Sequence, residues 1–138
     1  MANEIKIAKA AREIARELND LPAESRHPFG YLRTFIGNNR TPCCAIGHVI
    51  QRAGLADLPK GRPSSADPNK LSWVSSTSAL CDVFGVEELP DEVFNVIDGL
   101  VGSNDRGDEA TIVAAGLYRL ADALELEAAP KGDASPEA

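Results

Sequence analysis

Thr41-Pro42-Cys43-Cys44-Ala45-Ile46-Gly47-His48-Val49-Ile50-Gln51-Arg52-Ala53-Gly54 is the stretch whose reading decides the fold. It carries the punctuation of one helix over about 42–53. Thr41 has a hydroxyl for the first orphan amides, Pro42 suits a first position that needs no N–H, and Gly54 can turn left-handed to close the end. At ~100° per residue, Cys43, Val49, Ile50 and Ala53 fall on the side of Ile46 and predict a core face. Cys44, His48 and Gln51 fall on the other side, which makes Cys44 and His48 an i, i+4 pair whose side chains can meet. Gly47 lies between the faces, where a second backbone can approach closely.

Working outward, the N-terminal segment predicts a helix capped by Asn3 and ending near Asn19, with Ile7, Ala11, Ile14, Ala15 and Leu18 inward. Pro28 opens a second expected helix whose apolar face is Phe29, Leu32, Phe35 and Ile36; a strand is the alternative, because Tyr31 to Ile36 also contains β-formers. His27, just before Pro28, reads as a capping or loop residue. Residues 55–70 hold three prolines, no periodicity and the cations Lys60, Arg62 and Lys70, which predicts a long surface loop.

Ser72 offers the start of a helix with Trp73, Thr77, Leu80, Cys81 and Phe84 on one side, closed by Gly85-Val86. Leu89-Pro90-Asp91-Glu92 opens the next, with two acids suited to the positive end of the dipole. Val93, Val96, Ile97, Leu100 and Val101 face inward, and Gly102 is the expected stop. A tight loop over 103–107 then leads to Asp108 as cap of a last helix striped by Ile112, Val113, Leu117, Leu120 and Leu124. The prediction is an all-α chain of five or six helices around the central helix 42–53, a single domain over 1–127 and a disordered tail over 128–138.

Composition bounds the function. At 138 residues, 43% hydrophobic and 25% charged, the chain can bury one core. No apolar run approaches the ~20 residues of a membrane helix and no secretory segment opens it, so a cytoplasmic protein with no membrane partner is expected. Three cysteines exclude a complete disulfide framework, and reduced thiols follow.

Charge is uneven. Residues 1–70 carry 11 Lys and Arg against 7 Asp and Glu, net +4; residues 71–138 carry 3 against 14, net −11, which together make the −7 of the chain. An acidic C-terminal half repels nucleic acid and attracts basic proteins. Asp82, Glu87, Glu88, Asp91, Glu92 and Asp98 are the expected partner-binding acids; the bland counterpart is a solvated face that keeps the chain soluble.

Three constellations could carry chemistry. Cys43 and Cys44 begin a helix, where the dipole favours thiolate, and His48 is a candidate base, although it points along the helix and not over the thiol. Cys44 with His48 is also a permissible metal-ligand pair, but a closed site needs two more ligands, for which Cys81, Asp105 or Asp108 are the candidates; with no CxxC or HxxxH, neither metal nor cofactor is expected. Asn104-Asp105 suits orphan amides or a neighbouring helix terminus, and Asp105 could orient His48. The acidic run from Asp98 to Glu109 lacks the spacing of a calcium loop. No phosphate-binding glycine loop or serine elbow occurs.

The run Cys44-Ala45-Ile46-Gly47-His48-Val49, followed by Asn104-Asp105 ahead of the last helix, resembles small helical domains of bacterial and phage genomes. Those carry a Cys-x-x-Gly-Ala helix and a Trp-Asn-Asp turn before a terminal helix. The likeness spans about 41–124 and departs at His48, where the pattern has a small residue, and at Ser103, where it has Trp. It implies the fold and no reaction, since the family has no established activity. The function expected is a small acidic protein-binding module, in its sharpest form a phage or mobile-element accessory protein that inhibits a host nucleic-acid-binding complex. The alternative is a thiol- or metal-dependent enzyme centred on Cys44 and His48.

Overall fold

In the computed structural model the chain runs α1 (Ala2–Asn19), β1 (Phe35–Ile36), β2 (Thr41–Pro42), α2 (Ala45–Arg52), β3 (Arg62–Pro63), β4 (Leu71–Ser72), α3 (Ser76–Phe84), α4 (Asp91–Arg106) and α5 (Ala110–Ala128). The structure describes residues 2–31, 33–36, 41–59, 62–63, 71–72 and 75–128. Among them are five helices, and their apolar faces form one core, as the all-α, single-domain expectation requires. None of these helices is long and apolar enough to cross a membrane. The expected tail, Leu32, Lys60, Lys70 and Trp73 lie outside the described residues.

The widest interface joins α1 to α5. Ile7, Ala11, Ile14 and Leu18 of α1 and Val113, Leu117, Leu120 and Leu124 of α5 are buried, each burial contributing up to ~1.5–3 kcal/mol for a large aliphatic side chain. Ala8, Ala10, Ala15, Ala114 and Ala121 line the same faces and let the helices approach closely. Ile112, expected in this stripe, is 45% exposed: it sits in the first turn of α5, to the side of the core. At the rim Arg12 reaches from α1 to Asp122 at 2.7 Å and Glu125 at 2.6 Å.

α4 packs beside α5 through Val93, Ile97 and Leu100. It runs through Gly102, the expected stop, for one more turn, and ends where Gly107 takes φ +71° and its N–H bonds Asn104 O. Gly102 costs helix propensity but breaks nothing, whereas Gly107 supplies the left-handed residue that a helix C-terminus uses. Asn104 and Asp105 therefore belong to the last turn of α4 and not to a loop. The carboxylate of Asp108, expected to cap α5, instead accepts from Arg106 at 3.0 Å.

Three other boundaries move. The described residues of 28–36 form no helix: Gly30 N bonds Cys43 O, while Arg33 O and Thr34 O accept from Cys44 N and Cys43 N. β1 then pairs antiparallel with β2, Phe35 against Pro42 and Ile36 against Thr41. The extended alternative wins because the segment finds its backbone partners in another strand and needs none within itself. For the same reason α2 begins at Ala45, three residues late, with Thr41 and Pro42 in β2. Its far end is as expected, with Gly54 at φ +77°. α3 begins at Ser76, because Ser75 is its cap, accepting from Ser78 N at 3.2 Å, while Ser72 lies in β4. Gly85 at φ +70° and Val86 close α3 as read from the sequence.

Asn3 caps nothing. It lies inside α1 and its Nδ2 donates to Val83 O at 2.8 Å, tying α1 to the end of α3. In the 55–70 stretch Leu55 and Pro59 are buried and β3 pairs antiparallel with β4, so its described part has more structure than a bare loop.

Candidate functional site

Asn104 is the polar centre of the molecule. It is 2% exposed and uses every polar atom. Oδ1 accepts from Ala45 N at 2.9 Å, and Nδ2 donates to Gly30 O at 2.8 Å and Asp105 Oδ1 at 3.1 Å. Its carbonyl accepts from His27 Nε2 at 2.7 Å. The N-cap residue of α2 is Cys44, in extended conformation and with no side-chain cap of its own. A residue of α4 therefore supplies the acceptor that a Ser or Asp cap supplies locally. This is the neighbouring-terminus role the sequence allows for Asn104.

His27 is buried within this arrangement. Phe29 N donates to Nδ1 at 3.1 Å while Nε2 faces a carbonyl, so the partners select the tautomer protonated on Nε2. His27 is a structural link between the 25–31 segment and α4, as its loop position suggests.

Gly47 is where the second backbone arrives. A methyl group there would overlap the carbonyl oxygen of Thr34. The close approach places the 33–36 segment along α2 and brings Thr34 to Ser76.

The two adjacent cysteines part company, in the opposite sense to the helical-wheel expectation. Both precede α2, so the helical period does not apply to them. Cys44 joins the contiguous core, and its Sγ lies 3.5 Å from Ser76 Oγ. Cys43 turns toward the 30–31 segment, its Sγ 3.8 Å from Tyr31 O, and burial raises its pKa, with smaller upward contributions from Cys44 and Asp105. Cys81 is half-buried and its pKa is also raised, by burial first and then by Asp82 and Glu88.

Cys44 opens onto a cavity of about 90 Å³ lined by Thr34, Ser76, Asn104 and Asp105 on its polar side and by Ala45, Ile46, Leu100 and Val101 on its apolar side, with Arg33 and Ser75 completing the wall. Ser76 Oγ is 3.3 Å from Thr34 Oγ1, and both side chains are buried. His48 does not line it. It lies in a separate hollow with Ile14, Leu18, Leu21, Phe29 and Gln51, its ring 4.9 Å from that of Phe29. Burial, helped by the positive charge of Arg52, lowers its pKa and keeps the imidazole neutral near pH 7. The structure thus brings Cys44 and Asp105 to one cavity and places His48 elsewhere. No group of three His, Cys, Asp or Glu among the described residues is placed to hold a metal ion.

Thr34 and Ser76 escaped the sequence reading. Thr34 lies in a segment whose local pattern reads as helix, and Ser76 looks like an ordinary position of a helix whose apparent start is Ser72. Neither stands in a motif.

On the outer surface Asp82, Glu87, Glu88, Asp91, Glu92 and Asp98 are all exposed. They follow the end of α3, the 85–90 turn and the first turns of α4. Val86 and Phe94 stand among them, 42% and 46% exposed. Phe94 is three residues from Asp91 and four from Asp98, so the three share one face of α4.

No family model matches the chain, and neither a curated protein nor a solved structure matches it.

Proposed function

We propose that the protein is a small acidic binding module that engages the basic surface of another protein through the α3–α4 shoulder. The observation that carries this reading is that six exposed carboxylates and two exposed apolar side chains, Val86 and Phe94, occur together along residues 82–98, from the end of α3 into α4. A merely solubilising face has no need of an exposed phenylalanine, whereas interfaces combine an aromatic anchor with a charged rim. The acids steer a cationic partner, and Phe94 gives it something to bury.

The sharpest form of the proposal is an accessory protein of a phage or mobile element that occupies a host nucleic-acid-binding complex in the cytoplasm. Its support is electrostatic: an acidic shoulder presents to a basic groove the charge that a nucleic acid would present. Kinship with the small helical phage and bacterial domains is part of the same reading. It is supported by the meeting in space of the two motif pieces, since Asn104 caps the helix that carries Gly47 and follows Cys44.

The thiol-enzyme alternative is less well supported, because no histidine lines the Cys44 cavity among the described residues. Affinity capture with the wild-type protein, with the E87Q/E88Q/D91N/E92Q variant and with Phe94→Ala tests the proposal. A partner lost from both variants is the expected result. A partner held equally by all three proteins contradicts it.

A further inference from the structure

The groove between α4 and α5 lies on a side of α4 that the acidic shoulder does not use. Asn95, Gly99, Ser103 and Arg106 recur at spacings of three and four, which puts them on one face, whereas Phe94 shares its face with Asp91 and Asp98. Gly116 and Arg119 line the groove from α5, and its volume is about 390 Å³.

Its charge is opposite to that of its surroundings. Residues 71–138 contain 14 Asp and Glu and 3 Lys and Arg. Among the described residues no carboxylate lines the groove, yet two of those three cations do. Arg106 is partly engaged, since Nη2 donates to Asp108 Oδ2 at 3.0 Å and to Ser103 Oγ at 3.3 Å. Arg119 is exposed and, like the carboxamide of Asn95, has no hydrogen-bond or ion-pair partner among the described residues. Two guanidiniums against the one carboxylate of Asp108 leave a single positive charge here, with N–H donors to spare.

Gly99 is a separate observation. A glycine inside a helix weakens it, and tight packing is the usual reason for one. Gly116 has that reason: a methyl group there would meet Leu100 Cδ1 at 2.9 Å. Gly102 leaves space for Arg106 Nη1, which would stand 3.1 Å from its methyl group. At Gly99 nothing lies within 4 Å, so packing does not require it. The missing side chain instead gives the groove depth and bares backbone that a ligand can approach.

We infer that this groove binds a small organic carboxylate. Arg119, the open N–H groups of Arg106 and the amide of Asn95 take the carboxylate, and the apolar body of the ligand lies along Val96 over Gly99. The planar fork of arginine matches the two oxygens of a carboxylate. A single net positive charge suits a monoanion, and the acids of the surrounding half oppose a dianion such as phosphate. Size adds the organic body: about 390 Å³ is within the range of small-molecule sites, which begins at ~300 Å³, and exceeds what a bare ion fills.

The test is a titration of the full-length, nitrogen-15-labelled protein with benzoate at constant ionic strength, followed by amide NMR shifts. Saturable shifts centred on Gly99, Ser103 and Gly116 are expected, and none with benzamide, the neutral isostere of benzoate. Arg119→Gln should weaken benzoate at least about tenfold, the loss of hydrogen bonding to a charged group. Gly99→Ala should weaken it at least about threefold while raising the melting temperature, a combination that a damaged fold does not give. The inference is overturned if benzoate shifts do not saturate or centre elsewhere, or if benzamide binds as well as benzoate. It is equally overturned if inorganic phosphate displaces benzoate at an equal or lower concentration, or if either variant binds benzoate as the wild-type protein does.

Discussion

Asn104 shows how one buried amide can position three segments. It joins the start of α2, the Gly30 carbonyl and its own helix α4, and its carbonyl adds His27. Asn104→Ala would leave Ala45 N buried and Gly30 O part-buried without their Asn104 partner, at ~1–3 kcal/mol for a stranded buried group and less for the part-buried one. We expect a loss of about 2–4 kcal/mol in chemical denaturation. Asn104→Asp should also destabilise, since it restores the acceptor for Ala45 but has no N–H for Gly30; a variant as stable as wild type would show that the links are incidental. Two glycines give a sharper contrast. Helix propensity alone makes Gly→Ala favourable by ~1 kcal/mol at either site. At Gly99, where nothing lies within 4 Å of the added methyl group, we expect that gain. At Gly47 the methyl meets the Thr34 carbonyl, and overpacking of ~1–3 kcal/mol or more should reverse the sign. Equal shifts in melting temperature for the two variants would refute the close approach. The role of Gly47 was legible in the sequence, because a glycine at the edge of an apolar stripe has few other uses. The alliance of Thr34, Ser76 and Cys44 was not, since it depends on two segments that local pattern misplaces.

Local signals located the helix ends best where the backbone itself ends them. Gly54, Gly85 and Gly107 all take positive φ at C-termini, and the first two were readable as stops; Gly102 misled because a helical glycine and a terminal glycine look alike in sequence. Starts were harder. α2 takes its cap from α4 and α3 takes its own from Ser75, so a Thr-Pro pair and an early serine pointed to the wrong places. The 28–36 segment was misread because its order comes from pairing with 41–44, an interaction that no periodicity within the segment records. The hollow between α1 and α2 has its own consequence. The folded state holds the pKa of His48 below its ordinary value of 6.5, so the unfolded chain binds the proton more readily. Stability from this group is therefore whole above about pH 6.5, declines as the pH falls through that value, and levels off once the folded imidazole also protonates. Melting temperature measured from pH 8 to pH 4.5 should fall less in His48→Phe than in wild type over this window. Parallel curves would mean that His48 is not desolvated as described.

At the scale of the whole molecule, the asymmetry visible in the sequence, +4 over residues 1–70 and −11 over 71–138, becomes a surface. Where the described acids of the basic half meet arginines, they do so close to the helical frame: Glu17 and Glu13 hold Arg52, with Glu17 lowered in pKa by that guanidinium. Arg12 likewise takes up Asp122 and Glu125. The acids of the α3–α4 shoulder are instead turned outward around Val86 and Phe94, which is why the shoulder, and not net charge as such, carries the functional proposal. Charge distribution was readable from the sequence, and the inward stripe of Val93, Val96, Ile97, Leu100 and Val101 already leaves Phe94 off the core face; that an exposed aromatic stands among the acids becomes visible only in the structure. The most direct measurement is the dissociation constant of the captured partner as a function of ionic strength. Raising salt from about 0.05 M to about 0.5 M shortens the Debye length from ~14 Å to ~4 Å. If the shoulder is the binding surface, wild-type affinity falls at least about tenfold over that range, while the residual affinity of the E87Q/E88Q/D91N/E92Q variant changes little. An affinity that is flat with salt in the wild-type protein, or equally steep in the neutralised one, would contradict the account.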